Sequence, residues 1–255
     1  MIKLAKKTIL LLILLAPGYV LAAGGAGFLY KTPSIDETDK EAIQRGAKVF
    51  VNYCLTCHSA EYMRYKRVAD DLGISEAVMK KNLMNPADKF HDGMTVAINK
   101  DDAKRWFGVP PPDLSVISRA RGRDWLYNYF MTFYQDDSSA IGVNNATFKD
   151  VAMPHVLWEL QGWQEPVYDD NVAHGESGDA ANSDKQIVGM KLVEPGKLTP
   201  DEYRETVRDL VTYMVYMGEP AELQRHKIGF WVLAFLFVFL LIAYALKREY
   251  WKDIH

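Results

Sequence analysis

Only two cysteines occur in the 255 residues, Cys54 and Cys57. So small a supply excludes a disulfide framework. A bridge between these two would close a very short, strained loop. A zinc site needs a fourth ligand, usually from a second C-x-x-C or an H-x-x-x-H, and the chain has no other cysteine. A thioredoxin-like dithiol needs a βαβ setting, and none precedes Cys54. Basic excess is also missing. Lys+Arg number 30 against Asp+Glu 33, which disfavours nucleic acid as a partner. No internal repeat is visible. Long apolar runs are confined to the two ends.

The N-terminal run has the anatomy of a secretory signal. Lys3, Lys6 and Lys7 start it, Ile9 to Ala16 form its apolar core, and Pro17-Gly18 then breaks any helix. Val20-Leu21-Ala22-Ala23 offers small residues for cleavage. Residues 1–22 are therefore expected to be removed and residues 23–226 to form an exported domain. The C-terminal run, Ile228 to Leu246, contains no charge. At about 1.5 Å per residue it matches the hydrocarbon thickness of a bilayer. Trp231 and Tyr244 sit near its ends, and Lys247, Arg248 and Lys252 follow. Residues 227–246 read as a transmembrane helix and 247–255 as a cytoplasmic tail. Removing three basic residues of the leader, and three basic and two acidic residues of the tail, leaves 24 basic against 31 acidic, a formal −7. A cationic protein partner suits that surface.

Between these ends lies Cys54-Leu55-Thr56-Cys57-His58. C-x-x-C-H is the attachment signal of a c-type haem. Two thiols about one turn apart reach one edge of the porphyrin and form thioethers. The histidine then supplies the proximal nitrogen to iron. A helix beginning within Ser34 to Asp39 should carry Ile43, Gly46, Val49 and Phe50 into this motif. Thr38 with Glu41, or Ser34 with Glu37, could form its capping box. Gly46 marks close helix contact. Val78 to Leu83 reads as a short helix stopped by Asn85-Pro86, and His91-Asp92-Gly93 as a turn. A long loop then reaches Pro110-Pro111-Pro112-Asp113-Leu114-Ser115, a rigid strip suited to walling a haem.

A sixth iron ligand is commonly methionine, which raises the potential. Of ten methionines, Met153 leads, because Pro154 biases it to an extended loop. Met131, Met214 and Met217 fit helix faces, where methionine usually packs. His155 is a weaker alternative that would lower the potential. Arg119, Arg121 and Arg123 precede aromatics at helical spacing, and one of the three is expected to meet a haem propionate. Asp136 to Asn145 reads as a surface loop. Trp158 to Tyr168 and Gln186 to Val193 read as a two-stranded excursion with a disordered tip. Thr199-Pro200-Asp201-Glu202 starts a strong helix whose stripe runs from Tyr203 to Met217. Gly218 should end it, and it should cross the first helix near Gly46.

The Cys54–His58 motif, Pro111-Pro112-Asp113-Leu114-Ser115 with Arg119-Ala120-Arg121, the Met153 loop, and Thr199-Pro200 through Val215-Tyr216-Met217-Gly218-Glu219-Pro220 before one C-terminal span resemble the cytochrome c1 family, in its proteobacterial form. That resemblance implies a mainly α, class I cytochrome c fold with insertions, plus one C-terminal transmembrane helix. It assigns Cys54 and Cys57 to one covalent haem c, His58 and Met153 to its iron, and Arg121 to a propionate. It implies one-electron relay within the ubiquinol–cytochrome c reductase of a respiratory chain. The Rieske iron–sulfur protein would be the donor, a soluble or tethered cytochrome c the acceptor, and cytochrome b the neighbour of the anchor in a dimeric complex. The haem domain would lie in the periplasm. No substrate chemistry of its own is implied. The rival readings are a terminal-oxidase haem subunit, which usually carries an N-terminal anchor, a haem peroxidase-like enzyme, which needs an open iron position, and a haem sensor, for which no signalling domain is present.

Overall fold

The computed structural model describes residues 30–84, 87, 89–96, 98–169 and 186–252. The leader, the Asn85-Pro86 helix stop and the tip of the excursion (170–185) lie outside the described residues. The described chain is mainly α. Its core is organised by two crossing helices, α1 (Lys40–Val49) and α8 (Pro200–Gly218).

α1 buries Ala42, Ile43, Gly46 and Ala47 on one face, with Glu41 in its first turn and Lys48 in its last, as its dipole favours. Neither expected capping box forms. Asp39 caps the helix instead, its carboxylate accepting from Glu41 N and Ala42 N at 3.0 Å each. Thr38 is taken by Asp36, whose Oδ1 accepts from the Thr38 backbone and hydroxyl. A Cβ at Gly46 would lie 2.0 Å from the Asp209 carbonyl oxygen and 2.8 Å from Tyr213 Cβ. The two backbones therefore touch where the sequence placed the crossing.

α8 starts with the expected capping box: Thr199 and Glu202 satisfy each other's backbone N–H groups. Its tyrosines tie the fold together. Tyr203 Oη donates to the Phe130 carbonyl at 2.9 Å, and Tyr216 Oη to Asp71 at 2.8 Å. Gly218 belongs to the last turn rather than ending it. It lets α8 approach Ser118, whose Oγ would lie 2.3 Å from an added Cβ.

Between α1 and α8 the chain makes β1 (Ala60–Arg64), α2 (Tyr65–Leu72), α3 (Glu76–Asn82) and the two-residue β2 (Gly93–Met94), which pairs antiparallel with β1. Part of the expected long loop is a helix, α4 (Lys100–Phe107), capped by Asn99. Then come α5 (Ile117–Arg121) and α6 (Arg123–Met131), parted at Gly122, whose φ of 86° lies in the region only glycine enters freely. The expected surface loop forms the turn and second strand of a hairpin, in which β3 (Phe133–Gln135) pairs with β4 (Val143–Asn145). Asn144 and Asn145 are buried there, and Asn145 Nδ2 donates to the Tyr129 carbonyl at 2.7 Å. After α7 (Trp158–Gln161), β5 (Gly162–Tyr168) and β6 (Ile187–Pro195) form the expected two-stranded excursion. α9 (Glu222–Tyr250) closes the chain. Its Ile228–Tyr250 stretch has mean hydropathy 2.6, is long and apolar enough to cross a membrane, and is not buried by any other described residue.

Candidate haem site

The last turn of α1 widens as it reaches the motif. Residues Phe50–Cys54 form a single π-turn, closed by the Leu55 N–H donating to the Phe50 carbonyl at 3.0 Å. Such turns insert one extra residue and re-aim the side chains beyond them. Tight turns follow. Cys57 N and His58 N both donate to the Cys54 carbonyl, at 3.1 and 2.9 Å. Cys54 is buried and Cys57 half-buried, and no disulfide joins them. Burial, with Cys57 adding to it, pushes the Cys54 thiol up to about 12, so it is neutral.

His58 Nδ1 donates to the Pro112 carbonyl at 2.8 Å. That bond fixes the tautomer and leaves Nε2 with its lone pair for a metal. Burial lowers the imidazole pKa, opposed by the Pro112 carbonyl and Asp113, which favours the neutral, ligating form. The proline strip is itself clamped. Leu114 N donates to the Ser59 carbonyl at 2.8 Å, and Asp113 accepts from Glu61 N at 2.9 Å and Ser115 N at 2.8 Å. Three prolines thus form a wall anchored to β1, with one carbonyl turned to the histidine.

The loop carrying Met153 reaches the same space. Cys54, His58, Pro112, Ala152 and Met153 line two adjoining clefts. Cys57 opens into one of them, and Arg121, Trp125, Tyr129 and Met214 into the other. Apolar side chains dominate both, and among the described residues Arg121 is the one charged side chain in their lining. Its guanidinium lies 4.9 Å from the Trp125 ring centroid and 5.8 Å from that of Phe148. The neighbouring arginines turn to acids, Arg119 to Glu219 at 3.9 Å and Arg123 to Glu37 at 3.2 Å. Among the described residues Arg121 pairs with no carboxylate.

The structure therefore brings Cys54, Cys57, His58, Met153 and Arg121 around one apolar space. His155 is not among them. It is buried elsewhere, stacked on Phe133 at 5.0 Å with an edge to Trp163, and burial lowers its pKa to about 4. Sequence reasoning missed Tyr129, whose Oη donates to Met153 Sδ at 3.4 Å. Burial raises that phenol's pKa, so it remains a donor. It also treated Met214 as packing only, although Met214 reaches the cleft.

The donor set fits a porphyrin. Both cysteines, an oriented imidazole and a thioether line one apolar space, and the Arg121 cation at its wall pairs with no carboxylate among the described residues. These features define a c-type haem protein. A family model described as Cytochrome C1 family matches residues 30–254. Cytochrome c1 of Allochromatium vinosum is 48% identical over 243 residues, covering 95% of this chain and 96% of that protein. The ammonia monooxygenase gamma subunit of Nitrosomonas europaea is 49% identical over 249 residues, 98% of each chain. Cytochrome c1 of Blastochloris viridis is 26% identical over 246 residues, 85% of this chain and 82% of that one. The chain belongs to the cytochrome c1 family. It is accordingly an electron-transfer haem subunit of a bc1 complex, with a class I cytochrome c fold and one covalently bound haem c.

Proposed function

We propose that this chain relays single electrons from a Rieske iron–sulfur protein to a soluble or tethered cytochrome c. Cys54 and Cys57 hold the haem by thioethers, His58 and Met153 are the iron ligands, and Arg121 meets a propionate. The observation that carries this reading is that His58 and Met153 line one apolar cleft together with both cysteines. When bound, the haem supplies a one-electron couple. The protein's residues keep that couple at low reorganisation cost. Pro112 holds the imidazole in one tautomer, the proline wall excludes water, and the neutral Met153 thioether would hold the iron against oxygen. Arg121, already stacked on Trp125, offers a guanidinium for a charge-assisted bond to a carboxylate without further ordering.

The apolar stretch of α9, exposed among the described residues, supports a membrane anchor lying beside cytochrome b. We place residues 23–226 in the periplasm of a bacterial cell, after removal of residues 1–22, with the tail in the cytoplasm and the complex dimeric. Tethering raises the effective concentration of donor and acceptor partners. The test is the oxidised absorption spectrum. It should contain the weak far-red band of methionine–iron coordination, and Met153→Leu should abolish it. Persistence of the band in that variant would move the ligand elsewhere. The name of the Nitrosomonas relative raises a monooxygenase role as a second reading. Rapid carbon monoxide binding by the reduced protein would favour it, because a coordinated Met153 blocks that position.

A further inference from the structure

Only Glu219, Pro220 and Ala221 lie between α8 and α9. So short a link passes any movement of the α9 base straight into the domain. Charged side chains from several elements gather around it. Arg119 of α5 reaches Glu219 at 3.9 Å. Arg225, in the first turn of α9, pairs with Glu219 and, at 2.6 Å, with Glu222. Arg67 of α2, itself paired with Asp71, donates to the Pro220 carbonyl at 3.3 Å. Arg123 of α6 pairs at 3.2 Å with Glu37, in the arm that precedes α1. Glu37 joins the two halves of this cluster by hydrogen-bonding Glu222. Two ionised carboxylates hold acceptors and no donor, so that bond exists only while one of them carries a proton. Glu37 is the better keeper: its side chain is 15% exposed against 30% for Glu222, and burial disfavours the charged form. We propose that Glu37 and Glu222 form a proton-operated latch that fastens the base of α9 to the haem domain. The latch rests on α9 being the membrane anchor. With the proton in place, the arm, α6 and α9 are tied through Glu37. Without it two like charges meet. Arg123 offsets one of them, and Arg225 is already shared between Glu219 and Glu222. Burial first, then Glu222, pushes Glu37 up to about 7, with Arg123 and Arg225 opposing, so the latch operates across neutral pH. Fastened, the haem domain keeps one orientation over the bilayer. Released as pH rises, it turns about the short link. Only a proton moves, between Glu37 and water.

The experiment measures the spread of one distance by pulsed dipolar electron resonance, on the full chain in its membrane complex. Nitroxides go on Lys48→Cys in α1 and Gln224→Cys in α9, two exposed positions. At about pH 5.5 the latch is closed and the distance distribution should be narrow. At about pH 8.5 only about one latch in thirty keeps its proton, and the distribution should widen about twofold. Glu37→Gln replaces the shared proton by an amide N–H and should stay narrow at both. Glu222→Gln should do the same, and it keeps the question answerable if Glu37→Gln does not accumulate. His226 follows Arg225 in the sequence, and an ordinary histidine titrates in the same window, so His226→Gln is the control and should widen like the wild type. A wild-type distribution indifferent to pH, widening that survives in both glutamine variants, or widening lost in His226→Gln overturns the latch. Washing the membranes with alkaline carbonate separates the two readings. Release of the chain there would overturn the anchor, whereas retention with a distance indifferent to pH sinks only the latch.

Discussion

Replacing Gly46 with alanine sets two effects of opposite sign against each other. Alanine is the better helix former by about 1 kcal/mol in a helix interior. Against that, its Cβ would sit 2.0 Å from the Asp209 carbonyl oxygen, 2.7 Å from that carbonyl carbon and 2.8 Å from Tyr213 Cβ. A carbon and a carbonyl oxygen ordinarily stay about 3.3–3.6 Å apart. The helices must therefore separate by roughly 1 Å, since neither a backbone carbonyl nor a Cβ can rotate away. A gap of that size forfeits about a quarter to a half of each dispersion contact along the seam. Those contacts belong to fully buried side chains, Ile43 and Phe50 on one side and Leu210 and Tyr213 on the other. Overpacking alone costs about 1–3 kcal/mol, occasionally more, and this site belongs at the upper end. The net expectation is a loss of roughly 2 kcal/mol, or a fall of about 4–8 °C in Tm for a domain of this size. Thermal unfolding followed by circular dichroism, at one scan rate for both proteins, reads it directly. Because α1 feeds the π-turn that presents Cys54, haem incorporation should fall as well. A Gly46→Ala protein as stable as the wild type would refute the backbone contact and the helix crossing built on it.

Four other outcomes follow from the structure. Thr199→Ala removes the α8 cap and should cost about 1 kcal/mol, seen as a Tm lower by a few degrees, with the absorption spectrum unchanged. Asp113→Ala frees the Glu61 and Ser115 N–H groups and loosens the strip that orients His58, so haem incorporation in the purified protein should drop. Glu37 has its pKa raised to about 7, by burial first and then by Glu222, with Arg123 and Arg225 opposing. The folded state thus binds more protons than the unfolded one between the ordinary glutamate value and about 7, and stability should fall as pH rises through that window. In Glu37→Gln a plot of Tm against pH should be flatter there. Finally, the formal −7 of residues 23–246 should make electron transfer to a cationic cytochrome c slow as salt is added. A salt-independent rate would contradict steering.

The residues that were legible in the sequence are those whose chemistry fixes a spacing. Thioether formation dictates C-x-x-C-H. Backbone capping dictates Thr199 and Glu202, and the helix crossing dictates a glycine at position 46. What stayed hidden depends on partners distant in the chain. α4 escaped notice because Ala103 is its one buried residue, so it has no apolar stripe to read. The β3–β4 hairpin looked like a polar loop because Asn144 and Asn145 satisfy their amides internally. Their partners include the Tyr129 carbonyl sixteen residues away and the Asp136 carboxylate. Three arginines at alternate positions were indistinguishable until Glu219 and Glu37 were seen to take two of them. Tyr129 read as core, which it is, and its hydroxyl's partner lies 24 residues on.

The central claim is that Cys54 and Cys57 bond covalently to a porphyrin. Acid–acetone extraction of the denatured protein tests it most directly. The account predicts that the colour stays with the wild-type polypeptide and passes into the solvent once both cysteines are replaced by alanine. A colourless wild-type polypeptide after extraction would contradict it.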